Sequence, residues 1–251
     1  MIQSLQNGIN ALMFLSSKRS AGVTEIAGAI GVNKSTAFRI MQTFLTSNIV
    51  EKNPETLCYK LGPAILRLSQ QYYSGLNAVS ISKPYMARLS EGFGESVHLC
   101  TLSNNRAVVV EQITADGRLI ANAKIGEEEP LHCSSVGKCL LAYADNSRQE
   151  KMLRETALEK YTEKTITDET ELQRELARIK EKGFAIDDCE LSEEIRCIGA
   201  PIFNNKGECS FSIGVSGARS RMTQEKIYKI AEGLKKVSEA ISSELGYTKT
   251  K

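Results

Sequence analysis

The chain lacks a Gly-x-Ser-x-Gly elbow, a Gly-x-x-x-x-Gly-Lys phosphate loop and a Gly-x-Gly-x-x-Gly fingerprint. Those absences remove the usual signatures of serine-hydrolase, nucleotide-phosphate and dinucleotide chemistry. Histidine is scarce: only His98 and His132 occur, neither in a nucleophile motif, which leaves a small-molecule enzyme as the least favoured reading. No apolar run reaches the ~18 residues that a membrane span needs, and Met1 is followed by polar Gln3, Ser4, Gln6 and Asn7. A cytoplasmic protein with no membrane partner is expected. Cys-x-x-Cys spacing is missing too, and the seven cysteines (Cys58, Cys100, Cys133, Cys139, Cys189, Cys197, Cys209) are scattered and odd in number. Reduced, mostly buried thiols are expected, with no cofactor and no metal; a zinc site built from His98 or His132 with cysteines has no support in the spacing.

What is present is ordinary globular composition, 41% hydrophobic and 25% charged over 251 residues, enough for two domains. Charge is uneven. Residues 1 to 75 carry Lys18, Arg19, Lys34, Arg39, Lys52, Lys60 and Arg67 against Glu25, Glu51 and Glu55, a basic end on a near-neutral chain. Such an end fits a domain that meets phosphate.

Residues 23 to 41 carry a helix-turn-helix pattern, with Ile26, Ile30, Ala37 and Ile40 at helical spacing and Ala27 four residues before Gly31. Ala27 is small where two helices close on each other, Gly31 can adopt positive φ, and Asn33 can cap the next helix. A preceding helix with Leu5, Ile9, Leu12, Met13 and Leu15 on one stripe is expected to pack behind the pair. The second helix should run from Val23 to Ile30 with Thr24 or a neighbour as cap. The third should run from Lys34 to about Ser47, burying Phe38, Met41 and Leu45. Its outer side presents Lys34, Ser35, Thr36, Arg39 and Gln42. Strands over 49–52 and 57–61, joined by Asn53-Pro54-Glu55-Thr56, complete a winged helix. In that arrangement Ser35, Thr36, Arg39 and Gln42 reach base edges, while Lys34, Lys52 and Lys60 neutralise phosphates.

A connecting helix is expected over 62–75, and a second one from Asn77 to Gly92. Strands follow at 97–102 and 107–113 around a Ser103–Arg106 turn, with a further one at Leu119–Lys124. Helices at 135–143, 147–155 and 168–182, strands at 184–188, 197–203 and 209–216, and a closing helix at 223–245 make this part an α+β domain with an antiparallel sheet. The division is therefore a winged helix-turn-helix domain at 1–61, a linker helix at 62–75 and a second domain at 76–251.

Over nearly its whole length the chain resembles the isocitrate lyase regulator (IclR) family of bacterial transcription factors. The resemblance is carried by 131–142 (LHCSSVGKCLLA), 182–190 (KGFAIDDCE), 195–203 (IRCIGAPIF) and 213–217 (IGVSG), in that order, besides the winged helix. It implies a GAF-like effector domain that binds a small organic acid, commonly an aliphatic or aromatic carboxylate, and so modulates operator binding by a homodimer or homotetramer. By position the family's pocket residues correspond to Ser135 and Val136, after Ser134, with Asp187, Cys197 and Ser216. Gly214 stands where the family often has a serine. Independently, Ser134-Ser135 open a helix whose positive end suits a carboxylate, with an ordinary N-cap as the alternative. Asp187 would repel a bound carboxylate unless the two are apart, so a ligand of mixed polarity is expected. Glu127-Glu128-Glu129 reads as a solvated loop. The ligand would act by shifting the population of dimer geometries through the connecting helix. The alternative is a thiol- or metal-responsive regulator using Cys133, Cys139 and Cys197.

Overall fold

Local capping fixes the first elements. Helices α1 (Gln3–Ser16), α2 (Val23–Ala29) and α3 (Lys34–Thr46) are followed by a hairpin of β1 (Val50–Lys52) and β2 (Tyr59–Leu61), then α4 (Ala64–Ser74). This computed structural model describes residues 2–74, 77–115 and 123–248, in two units, Met1–Leu76 and Asn77–Lys251. Between α2 and α3 Gly31 adopts φ +68°, and the Asn33 side chain accepts the Thr36 amide at 2.8 Å, as the sequence requires. Ile26, Ala27, Ala37, Met41, Val50 and Tyr59 form one buried cluster with Ala11 and Leu15.

Four details differ from expectation. Helix α1 turns Gly8, Ala11 and Leu15 inward and leaves Leu5, Ile9 and Met13 exposed. The small residues win because they let the helices approach: a Cβ on Gly8 would come within 3.1 Å of the Phe44 ring. Helix α2 begins after Gly22 with no side-chain cap, so Thr24 does not serve. Phe38 is 44% exposed, because Ala37 and Met41 take the inward stripe and Phe38 falls a further 100° around the helix. Leu57 has φ +56° and is exposed, so it belongs to the hairpin loop and β2 starts at Tyr59.

The second unit opens with α5 (Asn77–Phe93), closed by Gly94 at φ +65°. Its sheet comprises β3 (Ser96–Ser103), β4 (Arg106–Ile113), β5 (Glu128–Pro130), β6 (Ala185–Asp188), β7 (Ile195–Phe203) and β8 (Cys209–Ala218), in the antiparallel order β5-β4-β3-β8-β7-β6. Asn104 and Asn105, both with positive φ, make the tight β3–β4 turn. The strand expected at Leu119–Lys124 falls on 119–122, outside the described residues, and Ala123 and Lys124 are not in a strand.

Helices α6 (Ser135–Ala142), α7 (Asn146–Glu155) and α8 (Glu169–Lys182) cluster with Cys100, Ala107, Val109 and Ala185, whereas α5 and α9 (Gln224–Glu244) pack together on the sheet. Asp145, Asp168 and Thr223 cap α7, α8 and α9, which explains why each begins one residue after a short polar side chain. Two glycines let α6 lie directly on the strands. A Cβ at Gly199 would come within 2.7 Å of the Ser135 backbone, and one at Gly214 within 2.7 Å of Val136 Cγ1. No described helix is long and apolar enough to cross a membrane.

Candidate functional site

Helix α3 carries one candidate surface. Lys34, Ser35 and Arg39 are exposed, and Thr36 and Gln42 are half-buried. Ser35 Oγ donates to Asn33 Oδ1 at 2.7 Å, so it also reinforces the cap. Ser35, Arg39 and Gln42 recur on one side of the helix, with exposed Phe38 and Thr43 beside them. Phe38 is a surface residue that periodicity alone assigned to the core; an apolar ring there can meet a thymine methyl group. In the hairpin, Lys52 lies opposite Tyr59 with Nζ 5.5 Å from the ring centroid, and Lys60 pairs with Glu51 at 2.9 Å. Both lysines therefore have partners on the hairpin itself; an exposed ion pair of this kind is worth only about 0–1 kcal/mol and opens readily to a phosphate.

The second surface is a cavity of about 460 Å³ in the other unit. Asp187 of β6, Cys197 of β7 and Ser216 of β8 line it, and they are direct register partners, a single rung across three strands. Ser216 Oγ donates to Cys197 Sγ at 3.0 Å. Ser134, Ser135 and Val136 do not line the cavity among the described residues. Ser134 is spent on the cap: its Oγ accepts the Gly137 amide at 3.0 Å and donates to the Pro130 carbonyl at 2.9 Å. Ser135 lies against Gly199, two residues along β7 from Cys197, and its buried Oγ has no hydrogen-bond partner.

Sequence reasoning missed the rest of the lining, which includes Arg106, Glu127, Glu128, Glu129 and Tyr161. The acidic run is not simply a solvated loop. Glu128 and Glu129 belong to β5 and pair with Val108 and Ala107, which turns the half-buried Glu129 toward the sheet interior. Alternation in the run offered no clue, since three identical charges carry no period. Among the described lining residues Arg106 is the one cation, against the carboxyls of Glu127, Glu128, Glu129 and Asp187.

Asp187 is buried and its carboxyl is pushed up to about 7, first by burial and then by the Glu190 charge; Lys138 and the amides of Glu190 and Leu191 oppose this without cancelling it. The loop after β6 holds it in place. Asp187 Oδ1 accepts the Glu190 amide at 2.6 Å, Cys189 adopts φ +66°, and Thr162 and Thr165 donate to the Glu190 carbonyl. Beneath this loop Lys138 of α6 is fully buried, donating to the Ile186 carbonyl at 2.6 Å and to the Glu190 carboxylate.

All seven cysteines are unpaired. Burial pushes the thiols of Cys100, Cys133, Cys197 and Cys209 well up and that of Cys139 to about 12. Thiols held protonated this way are poor nucleophiles, which disfavours redox sensing at Cys133, Cys139 and Cys197.

Comparison with known proteins identifies both domains. Residues 4–54 match the IclR helix-turn-helix domain and residues 70–243 the bacterial transcriptional regulator IclR C-terminal domain. The HTH-type transcriptional regulator BhcR of Paracoccus denitrificans is 29% identical over 241 residues, covering 96% of this chain and 86% of that protein. The crystal structure of an IclR transcriptional regulator from Alicyclobacillus acidocaldarius superposes with a TM-score of 0.85 at 26% identity, over 98% of this chain and 100% of that one. The fold is shared too by an IclR homologue from Microbacterium hydrocarbonoxydans complexed with 4-hydroxybenzoate, at a TM-score of 0.84 and 20% identity, covering 96% of this chain and 98% of that one. With a winged helix at one end, an antiparallel α+β domain at the other and both halves matched in order, the chain belongs to the IclR family of DNA-binding transcriptional regulators.

Proposed function

We propose that Lys34, Ser35, Thr36, Arg39 and Gln42 of α3, with Lys52 and Lys60 of the hairpin, form the operator contact, and that the cavity binds a small organic acid that modulates it. The observation that carries the effector reading is the Asp187–Cys197–Ser216 rung, which opens three polar side chains on neighbouring strands into one cavity. Arg106 is the charge partner for the acid. Ser216 and Asp187 meet a hydroxyl or carbonyl of the acid. Four carboxyls against one guanidinium favour a monocarboxylate over a di-acid. The 4-hydroxybenzoate held by the Microbacterium homologue is an acid of that build, with one carboxylate and one hydroxyl. The working unit is a homodimer or a dimer of dimers. Exposed Leu5, Ile9 and Met13 of α1 and Leu66 and Leu68 of α4 offer apolar area to a second copy. The acid acts by binding one arrangement of the copies more tightly than another, with α4 setting the separation of the two recognition helices.

A thermal-shift screen of monocarboxylic acids tests this, because a ligand at 100 times its dissociation constant stabilises the bound fold by about 2.7 kcal/mol. For the acid so found, Arg106→Met is expected to weaken binding by about 1.5–3 kcal/mol, roughly 10- to 150-fold, with operator binding of the free protein intact. A panel without any stabilising acid, or Arg106→Met binding as tightly as wild type, overturns the reading.

Acid binding should also depend on pH. Below about 7 Asp187 is protonated, donates a hydrogen bond and carries no charge; above it, the ionised carboxyl repels the acid. Affinity is expected to fall as pH rises through about 7, and titration calorimetry of Asp187→Asn should give a flat profile. A slope that survives in Asp187→Asn would assign the dependence to another group.

A further inference from the structure

Beneath α6, His98 and Cys100 have no part in the effector reading, and Glu129 enters it only as one of the carboxyls of the cavity. His98 and Cys100 stand two residues apart on β3, on the same face of the sheet, and Glu129 reaches them from β5. One ligand atom from each lies within 4.8 Å of the other two, a juxtaposition found for no other set of three His, Cys, Asp or Glu among the described residues. His98 Nε2 and Glu129 Oε1 are 3.7 Å apart. That separation is too long for a hydrogen bond and within a few tenths of an ångström of the N···O edge of a tetrahedral zinc-class ion, about 3.3–3.5 Å.

The histidine points to a missing partner. It is 3% exposed and its Nε2 has no hydrogen-bond partner, although buried polar atoms nearly always find one. The ring cannot swing toward β8, because it already fills the space over Gly214, where a Cβ would stand 2.6 Å from it. Glycine at 214 is therefore what admits the imidazole.

We propose that His98 Nε2, the Cys100 thiolate and the Glu129 carboxylate bind one divalent cation of the zinc class. Nitrogen and sulfur donors select against magnesium and calcium, which prefer all-oxygen shells. Three protein ligands leave the fourth tetrahedral position open, and Glu129 lines the cavity, so that position is reached from the cavity side. Binding forms the metal–sulfur bond at the expense of the S–H bond: the thiol proton leaves to solvent, the imidazole nitrogen and the carboxylate oxygen each donate a lone pair to the ion, and nothing is oxidised or reduced. The thiolate and carboxylate balance the two charges of the ion. The open position would then accept a carboxylate oxygen of an acid in the cavity, a consequence that rests on the effector reading, whereas the metal site itself does not.

The test uses the full chain, stripped with a chelator and titrated with zinc(II) alone, then with cobalt(II). The expected result is one equivalent bound per chain, about one proton released per ion, and a thiolate-to-cobalt charge-transfer absorption. Glu129→Gln should weaken the affinity 10-fold or more, and Cys100→Ser should abolish the absorption. Should the buried Cys100→Ser variant fail to fold, the stoichiometry, proton release and Glu129→Gln comparison decide alone. Absence of a stoichiometric ion, or a bound ion whose affinity is unchanged in both Glu129→Gln and His98→Gln, overturns the site. Acid binding by the stripped chain without any metal uptake would sink this inference and leave the cavity reading standing; metal uptake with no acid bound in either form would do the reverse.

Discussion

Operator binding by Arg39→Ala is expected to fall toward the non-specific level while affinity for the effector is unchanged. Arg39 is exposed on α3, flanked by Ser35 and Gln42, where a guanidinium can take both acceptors of a guanine edge. Loss of one bidentate contact costs about 1–3 kcal/mol, and a complex with two recognition helices loses it twice, about 2–6 kcal/mol in all. The upper part of that range reaches the roughly 4–10 kcal/mol that separates specific from background binding. Electrophoretic mobility or fluorescence anisotropy against a genomic operator and a scrambled duplex, at two salt concentrations, separates the contributions. Arg39→Lys keeps the charge but not the fork, so it should retain the salt dependence and lose discrimination. Lys52→Ala or Lys60→Ala should instead weaken both duplexes alike. Wild-type discrimination by Arg39→Ala would remove Arg39 from base reading; loss of effector affinity in the same variant would count against two separable functions.

The helix-turn-helix was legible because its determinants are local. Gly31 at positive φ, the Asn33 cap and the small Ala27 act within a dozen residues, and a sequence displays them side by side. Phe38 and the α1 stripe misled for a related reason: periodicity names the apolar residues of a helix but not the angle at which it docks. Docking was decided by Gly8 against Phe44, 36 positions away. In the second unit most elements were readable one by one, from the Ser103–Arg106 turn to the closing helix, although the caps Asp145 and Asp168 and the short β5 were not. The order of the strands in the sheet was not readable either, and the cavity depends on that order. Asp187, Cys197 and Ser216 become one rung only when β6, β7 and β8 align, and here resemblance to a family supplied what spacing could not. Arg106 and Glu129 had no such help: Glu129 lies on β5, a strand of three residues too short to leave a pattern, and Arg106 of β4 joins it only once β5 pairs there. Lys138 looks like any helical lysine until α6 is laid on the sheet.

Lys138→Met should therefore have the largest effect on stability. The ammonium is 0% exposed and holds both the Ile186 carbonyl and the Glu190 carboxylate across 48 and 52 positions of chain. Removing one partner of a buried ion pair costs about 3–5 kcal/mol, since the other charge stays behind without compensation. For a domain of this size that lowers the melting temperature by roughly 6–20 °C, readable as the transition of the second unit in a calorimetric scan. Burial already raises the Glu190 carboxyl, with Lys138 opposing the rise. Without the lysine the folded-state value climbs further above the unfolded one. The folded chain then binds more protons than the unfolded chain through that window, so stability is lost as pH rises from the ordinary carboxyl range and recovered as pH falls through it. Lys138→Met with Glu190→Gln should regain most of the stability and flatten the pH profile. The functional consequence follows from the same loop: the Glu190 amide anchors Asp187 Oδ1, and Asp187 is one of the three side chains of the rung. A chain that keeps its melting temperature but loses acid binding would place Lys138 in recognition; one that loses both, and regains both in the double variant, makes the buried pair the strut on which the cavity stands.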